Sequence, residues 1–331
     1  MHIPDGYLSP STCAALYVLS GSGWYIALKK MKRQLTARVI PVVSVFAALS
    51  FVVMMFNLPL PGGTTAHAVG IAVAAIVLGP WGAILALSIA LTIQALLFGD
   101  GGITTLGANC FNMAIAGSLV ATVVYRLLAG RSAAATRRRV VAAGIAGYVS
   151  INVAALLAAV EFGIQPGLFH DANGTPLYAP YPLRVAIPAM MIGHLTIAGA
   201  AEAVLSAAMV AYLQKTSPSL VGFRLAAEEP VLPARSNRRL WLTAGLLMLL
   251  TPLGTLAVGT AWGEWSAESF ERAPTGLQRL SSVWTAPFPS YAPTFIHNPF
   301  VGYLLSAMFG VGLFVVIAVV ARAFTRREIR T

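Results

Sequence analysis

The chain opens Met1-His2-Ile3-Pro4-Asp5-Gly6, and its first two residues carry a ready chelate. A free α-amine, the amide nitrogen of residue 2 and Nδ1 of His2 can wrap one ion in adjoining five- and six-membered rings. They fill three corners of a square, and a second imidazole completes it. Four nitrogens in a plane suit Ni(II) or Cu(II), whereas Zn(II) favours a tetrahedron and Co(II) binds less readily on the divalent affinity order. His67 is the candidate for the fourth corner, at the mouth of a short apolar segment expected on the same side as Met1. Bulky His2 discourages removal of Met1. Taken alone, His2 reads as an exposed terminal side chain; a partner on the same side makes it a site.

Positioning such a site falls to an apolar chain. Of 331 residues, 57% are hydrophobic and only 10% charged, and several runs are long enough to cross a hydrocarbon layer of roughly 30 Å. The runs are continuous rather than alternating, so the predicted class is an all-α integral membrane protein and not a barrel. Cys13 and Cys110 lack paired spacing and read as buried thiols. The formal net charge of +11 points to cytoplasmic loops rather than nucleic acid.

Nine spans are expected, near 8–28, 39–57, 67–80, 81–98, 104–128, 140–162, 184–213, 240–259 and 299–321. With the amino terminus outside, the loops 29–38, 126–139, 214–239 and 322–331 lie in the cytoplasm together with the carboxyl terminus. They hold 19 of the 22 Lys and Arg, which fixes the expected orientation. Residues 1–28 contain neither Lys nor Arg, unlike a secretory leader. The Pro-, Ser- and Arg-containing stretch 214–239 reads as a cytoplasmic linker between a seven-span module (1–213) and a two-span module (240–331) with an outer loop near 260–298.

The third span is too short: Ala66–Gly79 covers about 21 Å as a helix. The preceding "NLPLPGGTTA" is irregular backbone that lipid tolerates only under a protein cover, so a re-entrant loop is expected with His67 at the helix start and Thr64 or Thr65 as its cap. A helix amino terminus would keep His67 neutral. Pro4 and Gly6 bend the terminus inward past Asp5. "FGDGGITTLG" lacks the Lys of a phosphate loop and reads as a loop supporting the terminus, with Asp100, Asn109 and Asn112 as polar supports. His194 is first a core histidine and second a support of the site. Glu202, eight residues on, lies about 12 Å deeper and need not touch it. His170, Asp171 and His297 are solvated loop residues. Arg137–Arg139 are an inside anchor, and the Met pairs Met54-Met55 and Met190-Met191 are packing.

Three separated stretches, "MHIPDGYLSP", "PGGTTAHAVG" and "QALLFGDGGITTLGANCFNMAIAG", resemble the CbiM/NikM family over about residues 1–213. "HLTIAGAAE" in the seventh span also resembles the family pattern. These are substrate-capture (S) components of energy-coupling-factor transporters for cobalt and nickel. The resemblance implies a prokaryotic cell-membrane location, Ni²⁺ or Co²⁺ as transported substrate, and no organic cofactor. It assigns the ion to Met1, His2 and His67, the residues already chosen by chelation. It also implies two kinds of partner, a transmembrane coupling (T) protein and ABC-type ATPases. This chain has no Walker A sequence and is expected to be a transport subunit, not an enzyme. The second module is similar to the small NikN/CbiN subunit fused in some members, although "APTGLQRL" lacks the acidic residues of that subunit's Pro-Asp-Gly-Leu-Glu motif. The rival readings are an ATP-independent metal channel or carrier, and a vitamin-type capture component.

Nitrogen ligation carries a pH signature. Imidazoles ordinarily titrate near pH ~6.5 and α-amines near ~8, and protons compete with the metal for the same lone pairs. Metal affinity is therefore expected to fall steeply as pH drops through that range. Metal titrations from about pH 8 to about pH 5 check this, and a flat profile contradicts it.

Overall fold

A computed structural model describes the chain except residues 37–38, 61–63, 131–135, 222–233, 257–260, 294 and 329–331. Helix α1, Pro10–Met31, starts where Ser9 caps the backbone N–H of Thr12 and Pro10 occupies the first helical position. α2, Ile40–Met54, is apolar around its whole circumference and almost wholly buried. A three-residue hairpin follows, β1 (Leu58–Leu60) pairing antiparallel with β2 (Thr64–Ala66). Residues 67–70 are irregular, and α3 begins at Ile71.

α3, Ile71–Ile93 with a wide turn Gln94–Phe98, is broken at Gly79-Pro80. Gly79 adopts φ 74°, a left-handed conformation natural to glycine, and Pro80 starts the next arm. A straight helix over this length would separate its ends by about 40 Å. Yet His67 before the first arm and Asp100 after the second both reach His2, so the chain doubles back at the break. The first arm, Ile71–Leu78, is about 12 Å long and cannot cross a bilayer. The expected short third span is thus shorter still, because Thr64 and Thr65 belong to a strand and His67 precedes the helix by four residues.

α4 (Leu106–Ala129), α5 (Arg137–Leu168) and α6 (Leu183–Thr216) complete the first bundle, with wide i→i+5 turns at Cys110–Gly117 and His194–Ala198. After α7 (Ala234–Leu250) and a short α8 (Thr275–Ser281), the chain ends in α9 (Pro299–Glu328). Among the described residues, five segments are long and apolar enough to cross a membrane: Ile71–Phe98 taken across its break, α4, α5, α6 and Pro299–Phe324; Ile40–Met54 and Trp241–Leu256 are shorter apolar helices. Val18, Leu127 and Val204 are more than two-thirds exposed, an arrangement suited to lipid rather than water. The fold is that of a helical membrane protein.

The second module packs onto the first. Phe314 of α9 lies 5.7 Å from Phe51 of α2, ring centre to ring centre, and the Tyr303 hydroxyl donates to Met55 O at 2.8 Å. The described part of the loop between residues 261 and 298 closes over the end of the bundle that holds the amino terminus. Trp284 Nε1 donates to Leu96 O, Phe288 N to Leu97 O and Gly276 N to Leu177 O. Residues 222–233 of the expected linker lie outside the described residues; its first residues end α6 and its last begin α7.

Candidate metal centre

The amino terminus is turned inward and buried. Gly6 makes the turn with φ 90°, and a Cβ there would come within 2.5 Å of Leu277 O in α8. Asp5 anchors the turn: its carboxylate accepts from the backbone N–H groups of Ile103 (3.0 Å) and Thr104 (2.7 Å). Asn109 grips Ile3 on both sides, accepting from Ile3 N at 2.8 Å and donating to Ile3 O at 3.0 Å; Gly102 N donates to the same oxygen at 2.9 Å. The backbone groups flanking His2 are therefore satisfied while its side chain is left to the site. Asn109→Ala is expected to cost about 1–3 kcal/mol, because it leaves a buried backbone donor unpaired. Thermal unfolding in detergent reads the loss.

Met1 and His2 are each only 2% exposed and His67 5%, so a chemistry of nitrogens operates away from bulk water. The rings of His2 and His67 stack with centroids 5.0 Å apart and planes at 28°. His67 Nδ1 lies 3.1 Å from Ala68 O. A carbonyl only accepts, so Nδ1 carries the hydrogen and the lone pair sits on Nε2, which has no partner. His2 Nε2 is also unpartnered, and its Nδ1 is 3.1 Å from Asp100 Oδ1 without hydrogen-bond alignment.

Two carboxylates attend the terminus. Glu264, from the second module, accepts from the Met1 ammonium at 2.8 Å. Asp100 accepts from the Tyr291 hydroxyl at 2.5 Å and from Gln94 Nε2 at 3.2 Å. Burial would raise the Asp100 carboxyl, but the neighbouring His2 and His67 rings and the Tyr291 hydroxyl together outweigh it and hold the group below the usual carboxylate range. Burial, reinforced by the positive charges of His2 and the amine, pushes His67 well below its ordinary value. His67 precedes α3 by four residues, so burial and these neighbours, rather than a place in the helix's first turn, account for the shift. A cavity of about 290 Å³ opens beside these groups, with His67, Asp100, Glu264 and Tyr291 in its wall.

Of the residues singled out in the sequence, Met1, His2, His67, Asp5, Asp100 and Asn109 gather here. Thr64 and Thr65 lie in β2, and α3 begins after Gly70 with no side-chain cap from its own chain. Asn112 turns away and donates to Glu161 Oε2 at 2.8 Å. His194 is buried with Nδ1 2.9 Å from Met190 O and Nε2 unpartnered. Cys13 and Cys110 are free and buried. Glu264, Tyr291 and Gln94 escaped sequence reasoning; the one signal was an acidic residue inside Trp262-Gly263-Glu264-Trp265 of an outer loop. Among the described residues no three His, Cys, Asp or Glu side chains gather as a metal cluster.

A polytopic helical bundle with an inturned terminus buried beside two imidazoles defines the class: a helical membrane protein whose amino terminus is part of its interior. The profile of the cobalt uptake substrate-specific transmembrane region, CbiM, matches residues 2–220, and the chain belongs to this metal-transport family, with a fused carboxyl-terminal module. It is similar to the fused nickel transport protein NikMN of Rhodobacter capsulatus, 53% identical with 99% of each chain covered. It also resembles the probable fused nickel transport protein LarMN of Lactiplantibacillus plantarum, 41% identical over 96% of each. A crystal structure described as a truncated transition metal transporter superposes with a TM-score of 0.61 at 51% identity, covering 65% of this chain and 99% of that one.

Proposed function

We propose that the protein is the substrate-capture subunit of an energy-coupled importer of Ni²⁺ or Co²⁺ in a prokaryotic cell membrane. The ion is taken by the Met1 amine, the His2 amide and imidazole nitrogens and the His67 imidazole. The observation that carries this reading is the burial of the terminal amine beside two imidazoles whose outward nitrogens have no protein partner. Such atoms are costly in an apolar interior unless something else occupies them.

Four nitrogen donors favour Ni²⁺, in keeping with the relatives described as nickel transport proteins. The amine rests on Glu264 and the His2 imidazole lies beside Asp100. Both contacts give way as the nitrogens turn to the metal, and the two carboxylates remain as counter-charges nearby. Loss of the His2 amide proton offsets one of the metal charges. The terminus faces outside, the basic loops face the cytoplasm, and the hydrophobic segments number nine when the short arm of α3, a re-entrant piece that does not cross, is counted. A membrane coupling protein and ABC-type ATPases supply the energy. The fused module, through its cover over the terminus, stabilises the capture state.

The test is a parallel nickel and cobalt titration of protein purified with an authentic amino terminus. One ion bound per chain, with nickel tighter, is the expected result. Retention of an organic ligand and no metal would instead favour a vitamin-type carrier. ATPase-independent uptake would favour a channel or carrier.

A further inference from the structure

The sequence gives Glu202 no task, and the fold buries it completely inside α6. One carboxylate oxygen accepts from the backbone N–H of Val69 and of Gly70, each at 2.8 Å, while the other has no partner. These two donors precede the short arm of α3, whose first turn has no cap from its own chain. Inside an apolar bundle they would otherwise be orphaned. A carboxylate answers this need well: the hydrogen bonds are charge-assisted, and the arm's dipole favours negative charge at that end.

We propose that Glu202 is a positioning residue of the metal centre: its carboxylate fixes the Val69–Gly70 backbone and so presents the His67 imidazole to the amino terminus. The inference rests on the reading of His67 as a metal ligand. Val69 is only two residues from His67, and His67 Nδ1 is itself oriented by Ala68 O between them. A displacement of Val69 therefore reaches the imidazole with no flexible chain to absorb it. The other flank of His67 is held by the same helix, because the β1–β2 hairpin rests on the wide turn His194–Ala198 of α6. Both supports of one ligand thus come from α6, whereas the terminus is held at Ile3 by Asn109 and Gly102 and at the Met1 amine by Glu264.

The experiment compares Glu202→Asp and Glu202→Gln by nickel titration, by the visible absorption of the bound ion and by thermal unfolding without metal. Aspartate keeps the charge but is one methylene too short to reach both N–H groups. Glutamine keeps an acceptor oxygen in place. Glu202→Asp is expected to lose about 10–100-fold in nickel affinity, the range typical of contacts that orient a ligand, and to shift the absorption band as the fourth nitrogen is lost. Glu202→Gln is expected to stay within about 3-fold of wild type with an unchanged band, against that same scale. Wild-type affinity and band in Glu202→Asp overturn the proposal. So does an equal loss in both variants with an unaltered band, which marks a role in stability or charge alone. Wild-type protein that binds no nickel, or whose band survives His67→Ala, removes instead the assignment of His67 as a ligand.

Discussion

Extending the chain by one residue before Met1 is expected to lower nickel affinity by at least ~100-fold, beyond what losing an orienting contact costs, while the protein stays folded. The extension converts the Met1 amine into an amide and removes one donor together with the chelate ring it closes. Charge is nearly conserved, because the new residue brings its own ammonium. A loss of affinity therefore reports the position of the lone pair rather than electrostatics. The Met1 amine is buried against Glu264, and the added residue has to leave through the neighbouring cavity lined by Pro4, Gly99 and Glu264. The melting temperature is expected to move by only a few degrees, since the grip on Ile3 and Asp5 further along is untouched. Calorimetric titration and thermal unfolding of the authentic and extended proteins make the comparison. Equal affinities would remove the terminal chelate.

His67→Ala is expected to have the second largest effect, again at least ~100-fold in nickel affinity. Its signature differs from that of the extension. The three terminal nitrogens remain, so residual binding persists with a changed absorption band, whereas the extended chain loses the chelate itself. The stability change opposes intuition. His67 is buried with an unpartnered nitrogen, and its removal relieves a desolvated polar atom at the cost of a small void. The metal-free variant is thus expected to unfold close to the wild-type temperature. Only the nickel-bound wild type should gain a large upward shift, because ligand that binds the folded state alone stabilises it by mass action. A variant that keeps both its affinity and its band would exclude His67 from the ligand set.

Much of the candidate site was legible in the first 109 residues. The terminal amine and His2 need no tertiary structure to chelate, because ring closure is local. His67 was legible as a single histidine at the mouth of a segment too short to cross. Asp5, Asp100 and Asn109 sat in polar loops beside it, and all three now hold or face the terminus. Thr64, Thr65 and Asn112 were misassigned for one reason: a helix start and a loop face depend on where the chain turns. The hairpin takes up Thr64 and Thr65, and the wide turn at Cys110–Gly117 sends Asn112 toward Glu161.

The sequence by itself determined the membrane class and the family, and it raised the proposal of a chelating terminus. These follow from continuous apolar runs, three ordered motifs and one local chelate, all short-range properties of the chain. Tertiary structure alone decided which groups guard that chemistry. Glu264 meets an amine 263 positions away, Tyr291 meets Asp100 across 191, and Glu202 seats Val69 across 133. No periodicity encodes such pairings. Burial selects them: once the bundle brings polar atoms into a space without water, each must find a partner there, and the fold dictates which remain within reach.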